Sequence, residues 1–97
     1  MTVVNTQEAH NLRQDISIEA RVSAKDQVRE VTTKYGQNSV CTFTLTDDVG
    51  EILLNIWGED IAKFGVGDTV RVTNAYTTTY KGKVQLNVPK TGRVEKI

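Results

Sequence analysis

The chain has 97 residues, twelve basic and twelve acidic, and a formal net charge of zero, which argues against nucleic-acid binding through bulk positive charge. Its length fits one domain that buries roughly two thirds of the surface it exposes when unfolded. With Cys41 as the single cysteine no intramolecular disulfide can form, so the composition fits a reducing, cytoplasmic setting.

Residues 1–11 carry no clear period, no basic start and no apolar run. They read as a loose lead-in to a domain over 12–97, with no signal peptide and no run long enough for a membrane-spanning helix. Ile16, Ile18, Ala20 and Val22 then alternate with Asp15, Ser17, Glu19 and Arg21, a first strand with one buried face. The stretch "DQVREVTTKYGQN" follows as a loop holding Arg29, Thr33, Lys34 and Tyr35. In "SVCTFTLTD", Cys41, Phe43 and Leu45 alternate with Thr42, Thr44 and Thr46, a second strand in which Cys41 is a small core residue. After the turn "DDVG", a third strand puts Ile52, Leu54 and Ile56 on one face and Leu53, Asn55 and Trp57 on the other.

"GEDIAKFG" breaks the strand rhythm. Glu59 and Asp60 stand in a first turn, Ile61 and Phe64 at i and i+3, Lys63 in the last turn, and Gly65 as a stop. These are the marks of a helix of about two turns. Strand four opens at "GDTVRV" and runs through Tyr76 and Tyr80; strand five alternates Val84, Leu86 and Val88 with Lys83, Gln85 and Asn87. Five strands with a short helix between strands 3 and 4 is the order of an all-β, five-stranded Greek-key OB-fold barrel. Ile61 and Phe64 would plug its open end.

The fourth strand carries a conflict of phase. Val70 and Val72 belong in the core, yet strict alternation would send Tyr76 and Tyr80 the same way. A bulge near Asn74-Ala75 would turn both rings outward to join Trp57, beside Asn55, Thr42 and Thr44, with Lys81 and Lys83 at the adjoining hairpin. Without the bulge the tyrosines are core residues. Rings among hydroxyls and amides, bordered by lysines, suit a single-stranded nucleic acid, whose unpaired bases stack on the rings while cations meet its phosphates. Charge distribution points the same way: residues 41–68 hold six acids against Lys63, and residues 69–97 six bases against Glu95.

The segment "TLTDDVGEILLNIWGEDIAKFGVGDTVRVTNAYTTTYKGKVQLNV" resembles the OB domains of archaeal replication protein A and the related simple single-stranded DNA-binding proteins. The likeness rests on an Asp–x–x–Gly turn, a Trp ending strand three, a Gly-Asp opening strand four, and an aromatic before Lys-Gly. It runs over roughly residues 12–97. The resemblance implies stacking positions at Trp57, Tyr76 and Tyr80, loop contacts at Thr33 and Lys34, and service to DNA replication, repair and recombination, close to the chromosome. Where some relatives carry a further aromatic in strand five, this chain has Asn87, which implies a shorter or weaker footprint.

Catalysis finds little support in these residues. His10 stands alone in the lead-in, and no Ser/His or Cys/His pair surrounds a positioned imidazole. The acids Asp47, Asp48 and Glu51 read as a solvated turn; no cofactor, metal or small-molecule substrate is implied. Two readings remain: a sequence-tolerant module for single-stranded DNA, working beside further OB domains of the same or a partner chain, and a protein-interaction OB domain that assembles subunits. An anticodon-binding appendage is a weaker third.

Overall fold

The computed structural model describes residues 3–89 and 91–97. Strands with one apolar face must bury it, and here they do so by closing on one another. The order is β1 (Val3–Val4), α1 (Thr6–Ala9), β2 (Ile16–Lys25), β3 (Arg29–Thr33), β4 (Gly36–Thr46), β5 (Glu51–Trp57), a 3-10 helix (Gly58–Lys63), β6 (Thr69–Tyr80), β7 (Lys83–Asn87) and β8 (Arg93–Lys96). Neighbours in the sheet run β1-β2-β4-β5-β7-β6-β8, and β2 also pairs with β6, which closes the ring. The parallel β5–β7 pairing among otherwise antiparallel barrel strands is the Greek-key crossover. Strands β2, β4, β5, β6 and β7 are the five expected, and they form the OB barrel.

Alternation fixes the core. Ile16, Ile18, Phe43, Leu45, Leu54, Val72 and Leu86 are wholly buried, with Val22, Ile52 and Val70 nearly so. Each such side chain contributes roughly 1.5–3 kcal/mol relative to an exposed one. The 3-10 helix delivers Ile61, and the residue that ends it is Phe64; both join this cluster and close one end of the barrel. A bulge at Ser23 shifts β2 by one residue against β4, so that Lys25 falls opposite Phe43. Its ammonium lies 5.4 Å from the Phe43 ring centre and donates to the Ile61 and Phe64 carbonyls, 3.3 Å each, capping the helix end. Cys41 is buried, its thiol directed at the Asp26 carbonyl (3.2 Å); burial pushes the thiol pKa up against the pull of Lys25.

Three segments depart from expectation. The lead-in is not loose from Val3 onward: β1 pairs with β2 in parallel, and α1 packs Thr6 and Ala9 completely out of solvent. Residues 1 and 2 lie outside the described residues. The cause is Asp47, expected as part of a solvated turn. Its carboxylate accepts from the Thr6 N–H and hydroxyl (2.8 Å each) and from the N–H groups of Val49 (3.0 Å) and Gly50 (3.1 Å). Burial pushes this carboxyl up, but those bonds outweigh it and hold its pKa below the usual value. The loop after the first strand is a hairpin, β3 paired with the start of β4 and closed at Lys34-Tyr35, with Gly36 at φ 113°. Finally, β8 adds a strand outside β6. No described helix is long and apolar enough to cross a membrane.

Candidate nucleic-acid interface

The phase conflict in β6 is resolved by a bulge. Ile18 pairs with Val72 and Ile16 with Ala75, so three steps on β6 oppose two on β2. Asn74 takes the extra residue with φ 56°, a left-handed conformation that asparagine tolerates. Ala75 is then buried, and the following odd–even phase is reversed. Gly92 is required beside it: a Cβ there would stand 2.6 Å from the Thr73 carbonyl oxygen and 3.0 Å from that of Asn74. Asn74 Nδ2 also donates to Thr91 Oγ1 (2.9 Å), tying the bulge to the segment before β8.

Beyond the bulge both tyrosines point out. Tyr76 is 39% exposed, Tyr80 57% and Trp57 41%. Tyr76 lies opposite Asn87, Asn87 opposite Asn55, and Trp57 two residues beyond Asn55 on β5. Standard strand spacings put Trp57 about 7 Å along and 10 Å across from Tyr76, and Tyr80 about 13 Å farther along β6. Val40, opposite Trp57, is buried on this outer side although it does not belong to the core cluster.

Between the rings lies a polar floor. Thr42 Oγ1 donates to Asn55 Oδ1 (2.7 Å), Asn55 Nδ2 donates to Gln85 Oε1 (2.7 Å) and Asn87 Oδ1 (3.2 Å), and Asn87 Nδ2 donates to Thr78 Oγ1 (2.9 Å). The chain of bonds crosses four strands, β4-β5-β7-β6. Asn55, only 9% exposed, sits at its centre fully engaged. Asn87, where an aromatic was the alternative, closes this network instead of offering a ring.

Cations border the floor. Lys81 lies over the Tyr80 ring at 5.3 Å, and Lys83 pairs with Tyr80 across the β6–β7 hairpin. Arg29 reaches over from β3 to donate to Thr42 Oγ1 (3.2 Å). A groove of about 460 Å³ runs between these walls, with Thr42, Thr44, Leu53 and Gln85 among its lining residues. Thr33 and Lys34 stand at the hairpin tip rather than on the sheet with the rings. The Thr33 hydroxyl is spent on the turn, donating to the Gly36 carbonyl (2.9 Å) and accepting from Tyr35 N–H (3.1 Å). Lys34 lies 5.2 Å over Tyr35, which at 88% exposed is the most accessible ring on the molecule's described surface.

Sequence reasoning placed the rings, Thr42, Thr44, Asn55, Asn87, Lys81 and Lys83 on one side of the barrel, and the structure brings them together. It missed Gln85 as a member of the floor, although Gln85 shares the parity of Asn87. It also missed Arg93, which with Val88, Pro89 and Gly92 lines a second cavity of about 360 Å³ against Trp57.

Residues 4–96 match the family described as single-stranded DNA binding protein Ssb-like, OB fold. Over 74 residues the chain is 31% identical to the single-stranded DNA binding protein Ssb of Saccharolobus solfataricus, an alignment covering 76% of this chain and 50% of that protein. Over 82 residues it is 27% identical to replication factor A of Methanothermobacter thermautotrophicus, covering 84% of this chain and 10% of the other. The chain therefore spans half the length of the first relative and a tenth of the second. Among solved structures, the OB domain of Ta0387 from Thermoplasma acidophilum shares the fold, with a TM-score of 0.83 at 20% identity over 98% of this chain and 86% of that one. The chain belongs to the Ssb-like family of single-stranded DNA binding proteins with an OB fold.

Proposed function

We propose that the outer face of the barrel binds single-stranded DNA with little sequence preference, as a binding module rather than an enzyme. Bases stack on Trp57, Tyr76 and Tyr80, while Lys81, Lys83 and Arg29 meet phosphates. The observation that carries this reading is the β6 bulge, which turns two tyrosines out of the core phase and onto the face that bears Trp57. Asn74 and Gly92 are committed to making that irregularity.

The polar floor supports low sequence preference. Its amides and hydroxyls largely satisfy one another, so few groups are left to read base edges. The ring spacing further implies an extended strand. The backbone positions that carry the rings lie about 12–13 Å apart on standard strand spacings, wider than the ~3.4 Å between stacked neighbouring bases, so the rings suit bases spread along an extended strand. A role in replication takes its support from the name of one longer relative, replication factor A; service to repair and recombination, and company with further OB domains of the same or a partner chain, are part of the same proposal.

Trp57 is the chain's only tryptophan, so its emission reports on one site. Addition of oligo-dT is expected to quench it, with a weaker response to duplex, whose base faces are hidden. Unchanged emission at tens of micromolar oligo-dT and low salt would overturn the stacking role.

A further inference from the structure

We propose that the binding groove extends past Tyr80 onto the N-terminal segment, where His10 forms an additional base subsite at the end of the bound strand. This rests on the single-stranded DNA reading above. His10 looked isolated in sequence, in a segment expected to be loose. The Asp47–Thr6 clamp instead holds α1 against the barrel and brings His10, just after that helix, to the Glu51 end of β5. There the His10 Nε2 bonds to the Glu51 carbonyl oxygen at 2.8 Å. A carbonyl only accepts, so Nε2 carries the hydrogen, and the exposed ring is fixed by that edge.

A cavity of about 370 Å³ lies against this ring, lined also by Gly82 and Val84. It shares Thr44, Leu53 and Lys83 with the groove beside Tyr80, so the two are continuous. Its chemistry fits a base better than a phosphate. Leu53 and Val84 supply apolar lining, and the Glu51 carboxylate at its edge disfavours an anion. Gly82, at the tip of the β6–β7 hairpin, borders an open entrance, since a Cβ built there would meet nothing within 4 Å. The imidazole offers a flat face, suited to a stacked base of any kind. The path Trp57, Tyr76, Tyr80 already descends toward the Glu51 end of the sheet, and His10 lies next along it.

The experiment is a length series of oligo-dT titrated by Trp57 quenching against the wild-type chain, His10→Ala and His10→Phe. For wild type, affinity is expected to climb with length and level off. In His10→Ala the levelling comes one to two nucleotides earlier, and the longest strands bind about fivefold more weakly, the lower end of the effect of one stacked base. Strands too short to reach the segment bind both proteins alike. His10→Phe, which keeps a flat face but loses the bond to Glu51, restores the long-strand affinity. Equal weakening at every length, or a fall in melting temperature large enough to account for the loss, would assign His10 to holding the segment and overturn the subsite. An unchanged length profile in His10→Ala would overturn it too. If no oligonucleotide quenches Trp57 in the wild type, the failure is that of the binding face itself, a separate result.

Discussion

Tyr80 and Gly92 show how differently single residues serve the same face. The Tyr80 ring is more than half exposed, and its backbone pairs with Lys83 whatever side chain it carries. Tyr80→Ala is therefore expected to weaken single-strand binding by about 1–3 kcal/mol while leaving the melting temperature nearly unaltered. Titration alongside a thermal melt checks this, and a large loss of stability would mean the ring packs on the protein. Gly92 touches no ligand under the proposed reading, yet Gly92→Ala drives a methyl into the Thr73 and Asn74 carbonyls and against Val88. Relief requires moving the bulge or β8, at about 1–3 kcal/mol for an overpacked site. Because the bulge sets the outward phase of Tyr76 and Tyr80, both stability and affinity should fall together. Intact affinity in a destabilised Gly92→Ala variant would separate the ring phase from the bulge geometry. The outward direction of the tyrosines was legible because Val70 and Val72 conflict with it on a strict alternation. The need for glycine at position 92 was not, since it arises from a contact between segments eighteen or more residues apart.

At the scale of elements, the strands with one wholly apolar face were legible and the short ones were not. β2, β4, β5 and β7 each repeat the period-2 signal over enough residues to stand out, whereas β1 spans two residues and β8 four. Such pieces hold no period of their own and exist because a barrel edge is there to pair with. The α1 segment did leave a signal: Asn5 caps the helix by accepting from Glu8 N–H (2.7 Å), an Asn-x-x-Glu spacing readable in "NTQE". The clamp on that segment was hidden, because nothing in sequence joins Thr6 to a turn 41 residues away. Its energetics predict a pH dependence. The folded pKa of Asp47 is depressed, so its contribution to stability is present at neutral pH and lost as pH falls through that depressed value. Asp47→Asn should lower the melting temperature by several degrees near neutrality and flatten the acid side of the stability curve. Hydrogen exchange should quicken at Ala9, whose N–H is bonded to the Asn5 carbonyl within the clamped segment. A variant with unchanged exchange at α1 would show that β1 pairing and Ala9 burial suffice to hold the segment.

For the whole molecule, neutrality is the informative fact. A zero formal charge cannot concentrate a polyanion by its far field, so any affinity must come from what lies within the groove. Several cations are already committed to the protein: Lys25 to the carbonyls ending the 3-10 helix, Lys63 to Asp60 (2.9 Å), Arg71 to Glu19 (3.2 Å), Arg93 to Glu95 (3.4 Å) and Lys96 to Asp68 (3.6 Å). Among the described residues, those left facing the rings are Arg29, Lys81 and Lys83, with Lys34 at the hairpin tip. Each phosphate neutralised on a single strand contributes about −0.7 to the slope of log affinity against log salt. Contacts from these four side chains give a slope of about −3, shallow for a nucleic-acid binder. The remainder of the affinity is then salt-insensitive stacking, which should persist at high ionic strength and disappear with the rings. Titration of oligo-dT from low to high salt tests this directly. A slope steeper than about −4 would require phosphates beyond the reach of those four side chains. A slope near zero would instead remove the lysines from the interface and leave the rings to hold the strand alone.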